Sequence, residues 1–241
     1  MSRHSHWASI RIKKGALDKK RGKVFAKHAH IIEVIARQGG GDPSMNASLR
    51  LAIDNARYDN MPRENIERAI KKGTGELKAE EVFEVTYEGY GPSGVALLID
   101  AITGNKNRTA QVVRNTLQKH GGSLGSVGCT SFMFDTKGMI QVKIKSQKEN
   151  DEMELIDTGA QDILETDDGF IVYSAPNELM EVRKKIEALG FTVLSAELSK
   201  VPRNFVTIND KETAQKILNL MDALDNEEDI SSVAANFEME C

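Results

Sequence analysis

Between Ser5 and His28 the chain carries eight Lys or Arg residues, namely Arg11, Lys13, Lys14, Lys19, Lys20, Arg21, Lys23 and Lys27, against one acid, Asp18. The same stretch holds the single tryptophan, Trp7. Cations at this density neutralise phosphates and release counterions, a source of affinity for nucleic acid that is independent of sequence. An indole beside them would stack on an unpaired base, which looped or single-stranded RNA offers more readily than duplex DNA. Two blander readings stand beside these. A charge run is often a solvated helical face, but here the acids are too few to supply i,i+4 partners. Trp7 would equally serve as an apolar anchor on neighbouring helices.

Other stretches offer less. Thr103 to Thr109 (TGNKNRT) lies between an apolar run and a helical one, and would turn backbone N–H groups, Lys106 and Arg108 toward an anion. Its plain alternative is a turn with Asn107 or Thr109 capping the next helix. Gly89 to Gly94 (GYGPSG) lacks the Lys-Ser/Thr ending of a phosphate loop and reads as a hairpin turn. His120 to Gly128 reads as a helix cap and a flexible crossover. His28 and His30, two apart on a helix, face different ways and make a poor chelate, and His28 falls on the apolar stripe as a core residue. His4 and His6 sit among cations. No zinc spacing is present, so neither a metal nor another cofactor is expected. Asp100, Glu165, Asp167 and Asp168 would line an acidic pocket only if the fold gathered them. No nucleophile elbow or kinase motif appears, so an enzyme is not expected.

The elements that must position these groups fall into three blocks. Helical spacing runs from Lys19 to Gln38, with Val24, His28, Ile31 and Ile35 on one face and Gly39-Gly40-Gly41 as its stop. Asn46 caps a second helix with Leu49, Ala52, Ile53 and Ala56 inward. Met61-Pro62 opens a third, with Ile66, Ala69 and Ile70 inward and Gly73 at its end. From Val82 the pattern is strand, turn, strand (VALLIDAI), helix from Thr109 to Lys119, and strand (TSFMF). Then come strand GMIQVKI, a helix near Glu152 to Ile156, strand GFIVYSA, a helix from Pro176 to Leu189, and strand FTVLSAELS. The tail adds strand FVTIN, a helix from Lys211 to Leu224 and a strand near Ala234 to Met239. The class is α+β: a three-helix bundle followed by sheets of split β-α-β, ferredoxin-like character.

Charge divides along the same lines. Residues 1–79 hold 17 Lys/Arg against 8 Asp/Glu, a net +9, and the remaining residues carry a net −13. A polyanion-facing end joined to an acidic body is the expectation. There is no apolar run long enough to span a membrane and no secretory signal pattern, and the two cysteines, Cys129 and Cys241, are far apart in sequence. These features point to a cytoplasmic protein, while the Arg/Lys-rich, acid-poor N-terminus hints at a transit peptide, which in a eukaryote would mean the mitochondrial matrix.

The words HSHWASI, KRGKVF, GGGDPSMN, LAIDNAR, NMPRENIERAIKKGTG, YEGYGPSGVA, TGNKNRTA and GGSLGSVGCTSFMF run in order through the first 135 residues. Through them the chain resembles the YebC/PmpR family, whose mitochondrial relatives include a translational activator of cytochrome oxidase subunit one. Arg3, His6, Ile12 and Gly104 depart from the family's usual residues. The resemblance implies three domains: 1–79, then 80–135 joined by 204–241, with 136–203 inserted. It also implies a DNA-binding transcriptional regulator or a translation factor associated with the ribosome. Nucleic acid, including ribosomal RNA, is the expected partner, through Trp7, the eight cations, Lys106 and Arg108. No helix that would read bases in the major groove is evident, which favours RNA and the ribosome over promoter DNA. A hydrolase with an acidic cleft and a protein-interaction module without nucleic acid are the alternatives.

Overall fold

The structure is a computed structural model and describes residues 21–78, 82–145, 148–166 and 168–239. Helix α1 (Arg21–Gly39) is followed by α2 (Ala47–Tyr58) and α3 (Arg63–Gly73). Asn46 caps α2, its Oδ1 accepting from the Leu49 N–H at 3.0 Å, and its Nδ2 donates to the Gly40 carbonyl. Pro62 stands one place earlier than a first-turn proline, in the cap position of α3. Ile32, Ala36, Leu49, Ile53, Ala56, Ile66 and Ala69 close a small apolar core. Gly73 permits the tight crossing of α3 on α1: a Cβ there would collide with the Glu33 carbonyl and lie 2.7 Å from Ala36 Cβ. His28 does not join that core. Its Nε2 meets the Asp59 carboxylate at 2.6 Å, because α1 turns this edge toward the end of α2.

Strands β1 (Phe83–Tyr90) and β2 (Ala96–Thr103) form an antiparallel hairpin through Gly91 to Val95. Ser93 holds the turn at φ 58°. Helix α4 (Lys106–Lys119) begins three residues earlier than the apolar period suggests, and Asn105, not Asn107 or Thr109, is its cap. A short strand β3 (Ser123–Leu124) then pairs with β1, so the glycine-rich crossover is partly ordered into the sheet. Ser131–Met133 is a single 3-10 turn rather than a strand, and β4 runs unbroken from Phe134 to Lys143.

The next unit is α5 (Lys148–Ile156), β5 (Asp162–Glu165), β6 (Gly169–Ser174), α6 (Leu179–Ala188) and β7 (Val193–Pro202). Strand β5 escapes a reading by alternation because only four residues make it. With β4 these strands form a sheet in the order β5-β6-β4-β7, antiparallel throughout, which is the split β-α-β arrangement. The chain then returns through β8 (Val206–Ile208), α7 (Lys211–Asp225), β9 (Ile230–Ala235) and β10 (Phe237–Met239). Asn236 divides the last strand in two. Its amide oxygen accepts from the Ala96 N–H at 2.6 Å and its own N–H donates to the Ala96 carbonyl, so it finishes the β2 edge. Strand β9 completes the first sheet, β3-β1-β2-β9, while β8 and β10 pair in parallel. Val113 and Leu117 of α4 and Ile217, Leu220, Met221 and Leu224 of α7 cover that sheet. Among the described residues no helix is long and apolar enough to cross a membrane.

Candidate nucleic-acid interface

Of the cations singled out in the sequence, Arg11, Lys13, Lys14, Lys19 and Lys20 lie outside the described residues, as do Trp7 and the side chain of Arg21. Lys23 and Lys27 stand one turn apart on α1 and face the C-terminal end of α7. Lys23 Nζ donates to the Asn226 carbonyl at 2.8 Å, and Lys27 Nζ donates to the Asp225 carbonyl at 2.5 Å. The Asp225 carboxylate is 3.4 Å from Lys27 Nζ. A helix C-terminus presents carbonyls without intrahelical partners and a partial negative charge, so two ammonium groups are well placed there.

The helical unit also carries cations that sequence reasoning passed over. On α3 Arg68, Lys71 and Lys72 are exposed, lie within one turn of one another, and make no ion pair among the described residues. Arg63, on the same helix, pairs with Glu67 at 2.6 Å. The signal was present in IERAIKKGTG, but the alternation with Glu64 and Glu67 resembles an ordinary solvated face. The i,i+4 relation joins Glu67 to Arg63 rather than to Lys71, and this leaves the last turn of α3 wholly positive. Lys71 and Lys72 complement the helix dipole there.

Lys106 and Arg108 sit in the first turn of α4. Lys106 Nζ lies 4.4 Å from the centre of the Phe83 ring, and Tyr87 donates its hydroxyl proton to the Lys106 carbonyl. Arg108 reaches the Asp229 carboxylate at 3.1 Å. Asp229 also accepts from Thr109 Oγ1 at 2.6 Å and Thr103 Oγ1 at 3.1 Å. Burial pushes the Asp229 carboxyl up, but the bonds from Thr109, Arg108 and Thr103 outweigh it and hold the group below its ordinary pKa. The 103–109 segment is therefore one glycine, a cap and a helical turn, with an internal carboxylate already beside the helix N-terminus.

A second organised carboxylate, that of Glu88 on β1, holds the crossover after α4. Glu88 is 6% exposed and accepts from the N–H groups of Gly128 (2.7 Å), Thr130 (2.7 Å) and Ser131 (2.8 Å). Burial raises its pKa and these bonds lower it, with a net shift below the ordinary carboxylate value. The loop held in this way presents Val127, 94% exposed, and Phe132, 61% exposed.

The acidic residues suspected of lining a pocket are not gathered. Asp100 borders a cavity of about 230 Å³ between β7 and β9, where its carboxylate accepts from Thr86 and Ser232 hydroxyls. Glu165 and Asp168 belong to the β5–β6 hairpin of the other sheet, and Asp167 lies outside the described residues. A cavity of about 340 Å³ is lined by residues of α2, α6 and β7, and Asp54 and Arg183 meet there at 3.0 Å. No group of three or more His, Cys, Asp or Glu residues placed to hold a metal ion occurs among the described residues.

Comparison with known proteins places this architecture. Residues 5–76 match the model of the TACO1/YebC protein N-terminal domain, and residues 82–237 match that of the TACO1/YebC second and third domain. A relative from Halothermothrix orenii is 47% identical over 99% of this chain and 96% of its own length. One from Persephonella marina is 48% identical with the same coverage. Both are named probable transcriptional regulatory proteins. The crystal structure of a conserved hypothetical protein from Aquifex aeolicus matches with a TM-score of 0.92 at 46% identity, covering 98% of each chain. With both domain models matched and near-complete relatives at almost half identity, the chain belongs to the TACO1/YebC family.

Proposed function

We propose that this protein is a regulator of gene expression that binds nucleic acid through its helical N-terminal unit and does no chemistry on it. The observation that carries the reading is the segregation of charge: +9 in residues 1–79 against −13 in the remainder. An acidic body repels a phosphate backbone, so contact is directed to the helical end. Arg68, Lys71 and Lys72 of α3 add three exposed cations to this unit. The arm residues Arg11, Lys13, Lys14, Lys19, Lys20 and Arg21 supply further phosphate contacts, and Trp7 a stacking surface. Lys106 and Arg108 are secondary contacts, since each already has an internal partner. In this reading the chain works in the compartment where genes are read, the cytoplasm of a bacterium, as three units at 1–79, 80–135 with 204–241, and 136–203.

RNA, including ribosomal RNA, is the preferred target. No helix-turn-helix pattern with base-reading Asn, Gln or Arg is evident in the sequence, which favours reading of shape and backbone over a promoter sequence. The names of the relatives favour the second reading, a DNA-binding transcriptional regulator. Crosslinking in cells followed by sequencing of bound RNA and bound DNA separates the two. Enrichment of ribosomal or messenger RNA supports translation, enrichment of promoter DNA supports transcription, and enrichment of neither overturns both.

A further inference from the structure

The two lysines bound to α7 have a consequence for access. We infer that the turn from Asp225 to Asp229 is an internal competitor for nucleic acid, holding Lys23 and Lys27 until a phosphate backbone displaces it. The inference rests on the proposed nucleic-acid function.

Four of the five residues in this turn are acidic. It follows the C-terminus of α7, so the Asp225 and Asn226 carbonyls and the Asp225 carboxylate present negative charge together, while Asp229 is committed to Arg108, Thr103 and Thr109. Lys23 and Lys27 are at i,i+4 on α1 and meet successive carbonyls, those of Asn226 and Asp225. The fit is close for the carbonyls and loose for the charge: the Asp225 carboxylate is 3.4 Å from the Lys27 ammonium and partly exposed. Lys27 is half-buried and Asp225 more open, so at this length the ion pair itself contributes modestly, and a phosphate that meets the ammonium directly replaces it.

The lysines are not needed to keep the helical unit in place. Asn55 of α2 clamps the outer edge of β7, donating to the Ala196 carbonyl at 2.8 Å and accepting the Ala196 N–H at 3.2 Å. Arg183 of α6 bonds Asp54 of α2 at 3.0 Å. On the other flank Arg37 reaches the Val82 carbonyl at 3.4 Å. With these contacts intact, Lys23 and Lys27 can exchange a carbonyl for a phosphate without the domains separating. The turn then raises the affinity a ligand must have, and selects polyanions dense enough to engage both amines and the exposed cations of α3 together.

The test compares two variants of equal net charge in the full chain. Asp225→Lys places a cation at the turn, where a helix C-terminus accepts it. Asp157→Lys makes the same change at an exposed residue of the inserted unit. Binding of a short uridine-rich RNA is measured at low salt. Asp225→Lys should bind about three- to tenfold more tightly than Asp157→Lys. Equal affinities would overturn the inference, since they would reduce the effect to net charge. Reactivity of amines toward an acylating reagent is read without RNA. Lys23 and Lys27 should react more slowly than Lys71 and Lys72 in the parent, and the gap should narrow in Asp225→Lys. No gap in the parent refutes the internal contact whatever the RNA does. A gap with no RNA or DNA bound by any variant instead refutes the nucleic-acid reading, and the competition falls with it.

Discussion

Glu88 provides the sharpest test of how the chain holds its 125–131 loop. Three main-chain N–H groups and the Thr130 hydroxyl converge on its buried carboxylate. Glu88→Gln keeps the size but replaces one acceptor oxygen with an amide that donates. Oε2 serves Thr130 and Ser131, while Oε1 serves Gly128, so whichever way the amide turns at least one donor faces another donor. Thr130 is fully buried and cannot turn to water, whereas Gly128 and Ser131 are exposed. The amide should therefore turn its NH₂ toward Gly128, losing one charge-assisted bond and weakening two. A loss of about 1.5–3 kcal/mol is expected at neutral pH. The pH dependence is the stricter check. The folded pKa lies below the unfolded one, so the ionised group stabilises the fold above its unfolded value, and that contribution is lost as pH falls through the folded value. Urea unfolding of parent and Glu88→Gln, followed by circular dichroism from neutral to strongly acidic pH, should give a stability gap that narrows as the parent carboxyl protonates. A gap of constant size across that range would refute the assignment of the loop's order to the ionised carboxylate.

Three further outcomes follow from the same geometry. Asp229→Asn should lower stability by about 1–3 kcal/mol at neutral pH by weakening the bonds from Thr103, Arg108 and Thr109, and its difference from the parent should shrink in acid, because the folded Asp229 pKa is depressed; thermal unfolding at two pH values checks it. Gly73→Ala should cost about 1–3 kcal/mol by driving a methyl into the Glu33 carbonyl and Ala36, read as a lowered urea midpoint. Asn55→Ala should leave the Ala196 N–H and carbonyl of β7 without their clamp, costing about 1–2 kcal/mol and accelerating amide exchange at Ala196.

What the sequence disclosed depended on the range of each interaction. Period and caps are local, so the three N-terminal helices, the Asn46 cap and the inward faces of Leu49, Ile53 and Ile66 were legible in the residues themselves. The start of α4 was not, because the residues from Asn105 to Thr109 include three able to cap, and the choice fell to Asn105 when Thr109 was drawn to Asp229, 120 residues away. The β4 strand was read as two because the period of TSFMF does not reveal that Ser131 bonds Glu88 and turns. The candidate site suffered most. Lys23 and Lys27 looked available in the sequence, and their partners at Asn226 and Asp225 lie about 200 residues on. Arg68, Lys71 and Lys72 drew no reading from the sequence, and among the described residues they are exposed and make no ion pair. A charge pattern identifies a surface; only packing decides which charges on it are available.

The central claim, that phosphates meet the helical end, is tested most directly by the salt dependence of binding. Fluorescence anisotropy would follow one short RNA as a single strand and its matched DNA duplex through a salt series, with the parent and with Arg68→Ala/Lys71→Ala/Lys72→Ala. If about five cations meet phosphates, log affinity against log salt should slope at roughly −3.5 for the single strand and −4.5 for the duplex. The triple variant should weaken binding to every sequence alike and flatten the single-strand slope by about 2, with its thermal midpoint unchanged. A slope near zero in the parent, or a triple variant that binds with the parent's affinity and slope, would contradict the account.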